Sequence, residues 1–503
     1  MQWIERLLLA RYYVKCQGVT ASAATMRQTA SAWGLPSRAT PVYAAAMSKI
    51  TPPPPADNSP RAAALLCLLR LAESSQHADD LIDRELSRPN LQGPDRGLFT
   101  ELVLGVLRHQ GSLDHYLSQL LQQPLEQLEA PVLLLLRLGL YQLRQLDRIP
   151  AHAAIHATVE LAKQLKPRAS GLINAVLRSY QRRRAELTLP DPATTPALWL
   201  AAAHSLPLWL AEQWLQQLPL PEATALAEAS LRIPPLTLRT NTLRISRQQL
   251  LEQLSAAGIA AEASSFSPEG ISLPGRGLVT TLPGFTEGLF TVQDEASQLV
   301  AHLLGPQPGE TVLDMCAAPG GKTTHLAQLM QDQGTLIATD LNQRRIRRIQ
   351  ESASRLGLQS IRTESGDALH NDYLQERQFD RVLLDAPCSG LGVIRRNPEA
   401  KWRLQPAELL RCAQRQQALL EVAASRLKAG GVLVYATCST APQEDEAVVE
   451  DFLSRHHEFM VENGAQLFPA WAPLFNSCGY LRLWPHSHGT DGFFAARLIR
   501  TDR

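Results

Sequence analysis

The sequence predicts a multidomain protein that joins an all-α bundle, a small α+β linking domain and an α/β domain with a Rossmann-like sheet. Three observations support this prediction. Residues 61–184 carry apolar positions at helical spacing, and residues 236–273 mix strand and helix patterns. After residue 289, short apolar strands alternate with helices. The length of 503 residues also suits about three domains of ~150 residues each.

The composition limits the possible protein classes. The chain is 45% hydrophobic and 19% charged, which excludes disorder over most of its length. A formal net charge of +1 excludes a uniformly basic, histone-like chain but leaves local basic patches open. The seven cysteines form no Cys-x-x-Cys pair, which argues against a disulfide scaffold or structural zinc and for the reducing cytoplasm. The apolar stretch Val132–Tyr141 is too short to cross a membrane, so we expect no membrane association.

Residues 1–60 are expected to be an extension and a Pro-rich linker. Residues 1–46 are basic and weakly periodic, and they lead into the run Pro52-Pro53-Pro54-Pro55, which is typical of a polyproline II linker. An organelle presequence would have this composition. The simpler interpretation is that the extension is disordered or not translated, with Met47 as the true start.

Residues 61–185 are predicted to form a compact helical domain. Its last stretch, Leu161–Arg184, holds seven Lys or Arg residues and no Asp or Glu. Such a run is often a solvated helix face, but the absence of acids favours a patch that contacts phosphates. The candidate RNA-binding residues in this run are Lys163, Lys166, Arg168 and Arg178. The apolar stretches that predict the helices are Leu98–Leu107, Leu113–Leu121, Ala130–Leu146 and Ala151–Leu165.

Residues 186–288 are predicted to form the linking domain, with helical runs followed by a small α+β module. The pattern predicts a strand over Leu236–Leu243, a helix over Arg247–Ala257 and a second strand over Gly270–Leu273. Modules of this kind often bind RNA on their sheet, although nothing in these residues is diagnostic.

Residues 289–503 are predicted to form the α/β domain. Near-continuous apolar strands that alternate with helices indicate a parallel, doubly wound sheet, in which ligands bind at the carboxyl ends of the strands. The predicted strands are Thr311–Met315, Thr335–Asp340, Phe379–Asp385 and Gly431–Thr437, and the predicted helices start at Lys322 or span Gln343–Leu356 and Pro406–Lys428.

The loop after the first of these strands has two interpretations. Its Gly-Lys-Thr ending is that of a phosphate-binding P-loop, but Cys316 stands where the P-loop pattern requires the first glycine. A nucleoside-cofactor loop instead predicts an acid about 20 residues on, at the end of the next strand, and Asp340 holds that position. Acids at three strand ends favour S-adenosylmethionine over ATP. The candidate cofactor-binding residues are Ala317, Ala318, Pro319, Gly320, Gly321, Lys322, Thr323, Asp340, Asp367 and Asp385.

Two cysteines follow the ends of two further strands. Cys388 comes after Asp385, and Cys438 comes directly after Thr437. Because adjacent parallel strands lie ~4.8 Å apart, residues just past their ends can share one cleft. Nearby helix ends would favour a thiolate there.

These motifs resemble the NOL1/NOP2/sun family of RNA 5-methylcytosine methyltransferases. The matching residues are Cys-Ala-Ala-Pro-Gly-Gly-Lys-Thr at 316–323, Asp-Ala-Pro-Cys-Ser-Gly at 385–390 and Tyr-Ala-Thr-Cys-Ser at 435–439. From about Pro60 onward the chain is similar to bacterial members that join a NusB-like helical RNA-binding domain and a linking domain to a class I methyltransferase domain. The resemblance implies S-adenosyl-L-methionine as cofactor and a specific cytosine of 16S rRNA as target, at position 967.

The resemblance also implies roles for individual residues. Cys438 is the nucleophile that adds to carbon 6 of cytosine, and Cys388 assists product release, although the residues alone leave another order open. Asp385 contacts either the base or the methionine part of the cofactor. Arg395, Arg396 and Lys401 follow the Cys388 loop and are candidates to hold phosphates beside the flipped base.

Several expectations remain to be tested. The substrate is expected to be 16S rRNA, free or in an early small-subunit particle, and the protein a cytoplasmic monomer. No metal is expected, since the pair His486-x-His488 has no third ligand nearby. The alternatives are a P-loop-like phosphotransferase and a non-catalytic, NusB-like RNA-binding factor.

Overall fold

The computed structural model describes residues 59–274, 279–370, 374 and 376–501. The predicted N-terminal extension and the Pro52–Pro55 linker lie outside the described residues. In the part of the chain that is described, no helix is both long and apolar enough to cross a membrane.

Residues 60–183 form a helical domain around one apolar core. Fully buried leucines on successive helices, such as Leu65, Leu102 and Leu135, meet in this core. Prolines stand in the first turn of several helices, where the missing N–H has no partner to lose. The helices are α1 (Pro60–Glu73), α2 (Ala78–Leu86), α3 (Pro94–Leu120), α4 (Ala130–Gln145), α5 (Ala151–Leu165) and α6 (Ser170–Arg183).

The two predicted stretches Leu98–Leu107 and Leu113–Leu121 belong to the single helix α3. Gly105 and Gly111 lie on this helix where neighbouring groups approach its backbone. A Cβ added to Gly111 would lie 2.8 Å from the Trp402 ring. The glycines therefore interrupt the apolar pattern for the sake of close packing, without ending the helix.

Residues 196–292 form four α-helices and a small antiparallel sheet, in the strand order β2-β3-β1-β4. The first strand ends at Thr240, earlier than predicted, because the Asn241 side chain accepts a hydrogen bond from the Leu243 backbone and turns the chain. The elements are α7 (Pro196–Ala203), α8 (Leu208–Gln217), α9 (Leu220–Leu231), β1 (Leu236–Thr240), α10 (Arg247–Ala256), β2 (Glu262–Ala263), β3 (Gly270–Leu273) and β4 (Phe290–Val292).

Residues 295–500 form the α/β domain, whose sheet has the strand order β10-β12-β9-β8-β5-β6-β7, with β11 paired to β12. Its helices are α11 (Glu295–Leu304), α12 (Gly321–Leu329), α13 (Gln343–Leu356), α14 (Ala400–Arg403), α15 (Pro406–Ser425), α16 (Glu446–Arg455), α17 (Gly464–Leu467) and α18 (Pro485–His488). Its strands are β5 (Thr311–Met315), β6 (Thr335–Asp340), β7 (Ile361–Ser365), β8 (Phe379–Asp385), β9 (Leu427–Thr437), β10 (Phe459–Val461), β11 (Leu481–Leu483) and β12 (Phe493–Arg500).

The four predicted strands lie parallel, as expected, but the sheet continues with antiparallel strands that the sequence did not indicate. Strands β5 to β9 are parallel, but β12 pairs antiparallel with β9, and β10 and β11 pair antiparallel with β12. No long crossover helix precedes β12, so the chain returns beside β9 in the opposite direction. The sheet is therefore mixed, and its parallel half carries the crevice where ligands bind.

The strand order places that crevice. Strand β5 lies between β6 and β8, so the chain crosses to opposite sides of β5 at this point. A reversal of this kind opens a cleft at the carboxyl ends of the strands. The ends of β5, β6, β8 and β9 therefore form one edge, where the predicted site residues lie.

Candidate active site

The loop from Cys316 to Gly320 connects the end of β5 to α12. Gly320 has a φ of +101°, a left-handed conformation that favours glycine, and an added Cβ would lie 3.1 Å from the Ile349 backbone. The Ala317 N–H donates to the Thr339 carbonyl at 2.8 Å, which fixes the loop against β6. Glycine at position 320 thus lets the loop pass close to α13 and turn into α12.

Asp340 lies at the end of β6 and contacts this loop. One carboxylate oxygen accepts from the Ala318 N–H at 3.2 Å, and the other accepts from the Asn342 N–H at 2.9 Å. The Gly366 N–H donates to the Asp340 carbonyl, which brings the turn that carries Asp367 alongside. The structure therefore gathers the loop, Asp340 and the Asp367 turn at one edge.

Asp367 lies in the turn after β7. Its carboxylate accepts from the Leu369 N–H at 3.0 Å and lies 3.1 Å from the His370 ring. The backbone hydrogen bond, with help from His370, lowers the pKa of Asp367. The side chain is one-third exposed, so it remains accessible to a ligand.

Lys322 and Asp385 form a partly buried ion pair between α12 and the end of β8. Their Nζ and Oδ2 atoms are 2.7 Å apart, and Nζ lies 4.9 Å from the centre of the Phe493 ring. Burial alone would lower the pKa of Lys322, but the charge and the hydrogen bond of Asp385 outweigh it and raise the pKa. Lys322 is therefore a cation within the site rather than only a helix-start residue.

The two predicted cysteines lie in contact. The Sγ atoms of Cys388 and Cys438 are 3.3 Å apart, although the residues are 50 positions apart in the chain. The hydrogen bond with Cys438, followed by burial, raises the pKa of Cys388 well above its ordinary value. The prediction that helix ends favour a thiolate was wrong for Cys388: its raised pKa favours the thiol, and neither cysteine lies in the first turn of a described α-helix.

A buried carboxylate that the sequence analysis missed joins the two cysteine loops. Glu444 is fully buried and accepts from the Ser389 N–H at 2.7 Å and from the Ser439 hydroxyl at 2.6 Å. It also accepts from the Ser389 hydroxyl, and from the Gln416 amide at 3.2 Å. Each serine directly follows a cysteine, so Glu444 couples the backbones that carry the two thiols.

Two glycines also connect the loops that carry the cysteines. The Gly392 N–H donates to the Cys438 carbonyl at 2.9 Å, and the Gly492 N–H donates to the Gly392 carbonyl at 2.9 Å. A Cβ on Gly392 would lie 2.0 Å from the Gly492 carbonyl oxygen, so only glycine fits there. This contact joins the Asp491-Gly492 segment to both cysteine loops.

Asp314 is a second site residue that the sequence analysis missed. It is fully buried beneath the cofactor loop and accepts from the Thr323 hydroxyl at 2.6 Å. Burial raises its pKa to about 7, and its other carboxylate oxygen has no hydrogen-bond partner among the described residues. Its position one residue before the end of an apolar strand was the available signal.

The structure contradicts the assignment of Arg395, Arg396 and Lys401 to RNA phosphates. Arg395 is buried against Asp491 at 2.7 Å, and Arg396 pairs with Asp491 and Asp294 at 2.6 and 2.7 Å. Lys401 is 1% exposed and donates to the Arg108 carbonyl at 3.1 Å. Buried carboxylates and backbone carbonyls thus already occupy these cations.

The segment Arg395–Arg403 instead attaches the Cys388 loop to the helical domain. The Trp402 indole N–H donates to the Leu107 carbonyl at 2.6 Å. The Glu399 carboxylate accepts from the Ala78 N–H at 3.0 Å. Arg403 donates to carbonyls at the end of α1 and just beyond it. The basic residues here serve a contact between domains.

Acidic residues from outside the basic run Leu161–Arg184 neutralise part of its charge in the folded protein. Acids outside the run reach into it: Glu160 pairs with Lys163 at 2.7 Å, and Glu129 pairs with Lys166. Arg168 and Arg178 are exposed. A groove of about 460 Å³ between α5 and α6 is lined by residues that include His152, His156, Lys163, Asn174 and Arg178.

Comparisons with known proteins agree with this architecture. A family model described as 16S rRNA methyltransferase RsmB/F matches residues 301–499. The NusB family model matches residues 58–182, and an RsmF/B-like, ferredoxin-like domain model matches residues 206–280. The three models together cover most of the described chain.

Individual relatives are similar over nearly their whole length. A probable ribosomal RNA small subunit methyltransferase B from Synechocystis is 40% identical over 88% of this chain and 99% of its own. The corresponding protein of Bacillus subtilis is 37% identical over 88% and 98%. The crystal structure of PH0851 superposes with a TM-score of 0.71 at 26% identity, over 90% of this chain and 100% of that one. The chain therefore belongs to the RsmB/F family of 16S rRNA methyltransferases.

Proposed function

We propose that this protein transfers a methyl group from S-adenosyl-L-methionine to carbon 5 of a cytosine in 16S rRNA, through a covalent bond between Cys438 and carbon 6. The proposed nucleotide is cytosine 967, which rests on the family resemblance alone. The observation that carries the proposal is the pair of thiols 3.3 Å apart at the same strand edge as the Lys322–Asp385 pair. Neither a phosphotransferase nor a binding factor needs such a pair.

The residues at the strand edge fit the cofactor. The unpartnered oxygen of buried Asp314 offers an acceptor beneath the loop, and Gly320 lies at the N-terminal end of α12, where backbone N–H groups can face a ligand. We assign Asp340 to the ribose hydroxyls and Asp367 to the adenine amino group, with the loop residues 317–323 around the methionine part. When bound, S-adenosylmethionine supplies an activated methyl group on a sulfonium.

The thiol pair suits covalent activation of the base. Carbon 5 of cytosine is a poor nucleophile, and addition of the Cys438 sulfur to carbon 6 turns the ring into an enamine that can attack the methyl group. The raised pKa of Cys388 keeps that thiol protonated in the resting site, so it can donate toward the Cys438 sulfur. After methyl transfer the carbon 5 proton leaves and the S–C6 bond breaks, a step that we assign to assistance by Cys388.

Asp385 has a position suited to the base. Its carboxylate is held by Lys322 and is about one-third exposed, so one oxygen can still accept from the cytosine amino group. That contact would orient the base for addition of the Cys438 sulfur.

A covalent-trap experiment tests this proposal. Cys438→Ala should abolish 5-methylcytosine formation in small-subunit RNA, because no sulfur adds to carbon 6. Cys388→Ala should instead accumulate a protein–RNA adduct that survives a denaturing gel. Cys478→Ala, which removes an exposed thiol elsewhere, is the matched control and should behave like the wild type. Unchanged methylation by Cys438→Ala would show that the nucleophile is assigned incorrectly.

Glu444 gives a second prediction about the same site. Because it joins the loops that carry both thiols, Glu444→Ala should lower kcat at least ~10-fold while the KM for S-adenosylmethionine stays close to that of the wild type. Glu444→Gln retains an acceptor and should lose less. Glu446→Gln changes an acid two residues away that faces Arg482, and it should have little effect. A loss confined to cofactor KM would contradict this role.

The helical domain supplies the proposed RNA contact. The groove between α5 and α6 carries exposed Arg178 and half-exposed Lys163, and Arg168 lies exposed at the start of the turn between these helices. Surface pairs such as Lys163–Glu160 are weak enough for a phosphate to displace the acid. We propose that a monomer uses these residues, with Lys166, to bind 16S rRNA either free or in an early small-subunit particle.

A further inference from the structure

Three potential metal ligands meet away from the strand-end site. They are Glu269, just before β3, His302 on α11, and His325 on α12. One ligand atom from each lies within 4.8 Å of the other two. The cluster therefore lies where the linking domain packs on the α/β domain.

The distances in this cluster suit a small divalent ion. The His302 Nε2 atom lies 2.9 Å from the Glu269 Oε2 atom, and the His325 Nε2 atom lies 3.8 Å from the same oxygen. Ligands about 2.0–2.1 Å from a tetrahedral Zn²⁺ are ~3.3 Å from one another, between these two values. Small side-chain shifts would bring all three atoms to bonding distance.

His325 supplies an independent observation. Its side chain is completely buried, and neither ring nitrogen has a hydrogen-bond partner among the described residues. An imidazole buried in this way gives up the hydrogen bonds that both ring nitrogens make with water in the unfolded chain, so its burial is unfavourable unless a ligand is bound. The Nε2 atom faces the Glu269 carboxylate, so a ligand bound there would satisfy it.

The surroundings hold the other two ligands in place. The Thr240 N–H and hydroxyl both donate to the Glu269 carbonyl, at 3.0 and 2.9 Å, which fixes the backbone before β3. The Trp471 ring packs edge-on against His302 at 5.7 Å, and its indole N–H donates to the Phe266 carbonyl at 3.1 Å. Supported ligands of this kind are typical of metal sites that are built before the metal binds.

We infer that Glu269, His302 and His325 bind a divalent transition-metal ion, with Zn²⁺ as the best fit to two imidazoles and one carboxylate. The ion links the linking domain to helices α11 and α12. The ligands are separated by 33 and 23 residues, a spacing that matches no short metal motif, so the sequence analysis expected no metal. The inference is independent of the proposed methyl transfer.

The test measures metal directly in the full-length protein. Because the adjacent thiols of Cys388 and Cys438 are a competing soft site, both are first changed to serine. Protein purified without chelator, or reloaded with Zn²⁺ after stripping, should hold close to one equivalent by mass spectrometry of the metal. Zn²⁺ should also raise the unfolding temperature of the stripped protein. No bound metal and no thermal shift would overturn the inference.

Conservative variants separate metal binding from hydrogen bonding. His302→Gln keeps a donor for Glu269 and Glu269→Gln keeps an acceptor, yet each should weaken Zn²⁺ binding at least ~10-fold. His456→Ala is the matched control, since His456 also lies between two carboxylates but has both ring nitrogens paired. Equal metal content in all variants would show adventitious binding and overturn the inference.

Discussion

Two basic segments look alike in the sequence but differ in the structure. The basic residues of the helical domain, Lys163, Lys166, Arg168 and Arg178, lie on its surface. The two arginines are exposed, and Lys163 and Arg178 line the groove between α5 and α6. The post-cysteine segment, Arg395–Arg403, is packed between domains, with Arg395 and Lys401 buried. Both segments were predicted to bind RNA, and only the first is exposed on the surface where RNA could reach it.

The two segments differ in the acidic residues that pair with their basic side chains. In the groove, Lys163 pairs with an exposed acid three residues away, a weak surface contact that a phosphate can replace. In the post-cysteine segment, Arg395 and Arg396 pair with the buried carboxylate of Asp491 and the largely buried carboxylate of Asp294. Those carboxylates cannot be released to water, so their arginines are structural. A count of basic residues does not distinguish the two cases.

The largest expected effect on stability comes from removing the buried ion pair between Arg395 and Asp491. Arg395→Ala leaves Asp491 with one cation and a cavity, so we expect a loss of about 3 kcal/mol, or roughly 5–10 °C in the unfolding midpoint. Thermal unfolding measures it. Arg178→Ala, the control from the groove, should change stability by less than about 0.5 kcal/mol. If the Arg395→Ala protein had normal stability but bound RNA more weakly, Arg395 would be an RNA-binding residue and not a structural one.

Replacing Lys401 should have an intermediate effect on stability. Unlike the loss of Arg395, it should stabilise the protein. Burial, followed by the charge of Arg108, lowers the pKa of Lys401 to about 7. Between about pH 7 and the ordinary lysine pKa the unfolded chain binds more protons, so this group makes stability rise with pH in that window and fall as pH decreases through it. Lys401→Met should therefore be more stable than the wild type near pH 7, by about 1–2 kcal/mol.

The stability gap should narrow steadily as pH rises toward 10.5, where the lysine of the unfolded chain also loses its proton. Unfolding midpoints across pH 7–10.5 provide the measurement, and RNA affinity should stay constant. A Lys401→Met protein that is less stable at every pH would contradict the assignment of a costly buried charge.

The smallest effect is expected in the groove. The double variant Arg168→Ala/Arg178→Ala should weaken RNA binding several-fold without changing the unfolding midpoint. Each phosphate contact that is lost should lower the slope of log K against log salt by about 0.7, the value for single strands. Titration of labelled small-subunit RNA at several salt concentrations measures this slope. An unchanged slope would place the RNA-binding surface elsewhere.

The fold of the catalytic domain was predictable because its central strands are buried on both faces. Three of them, Thr311–Met315, Thr335–Asp340 and Phe379–Asp385, have the predicted bounds, since such strands are near-continuous apolar runs with abrupt ends. Strand β12 is equally apolar, but its direction depends on pairing with β9, which no local pattern records. The mixed sheet was therefore not predictable.

The residues of the candidate site also fall into those that could be predicted from the sequence and those that could not. Cys388 and Cys438 were predicted because each follows a strand end, and parallel strands bring their ends together. Glu444 was missed because its role depends on burial and on Ser389, which lies 55 positions away in the chain. Lys401 was misassigned for the same reason, since charge is visible in a sequence and burial is not. Positions fixed by strand ends can be predicted, whereas contacts between distant loops cannot.

The central claim is that Cys438 bonds to the target base. The most direct measurement uses small-subunit RNA that contains 5-fluorocytosine, from which no carbon 5 proton can leave, so that the adduct persists. Mass spectrometry of the digested adduct should identify a nucleotide attached to the peptide that carries Cys438. Attachment at Cys388, or the absence of any adduct when cofactor is present and RNA is bound, would contradict the account.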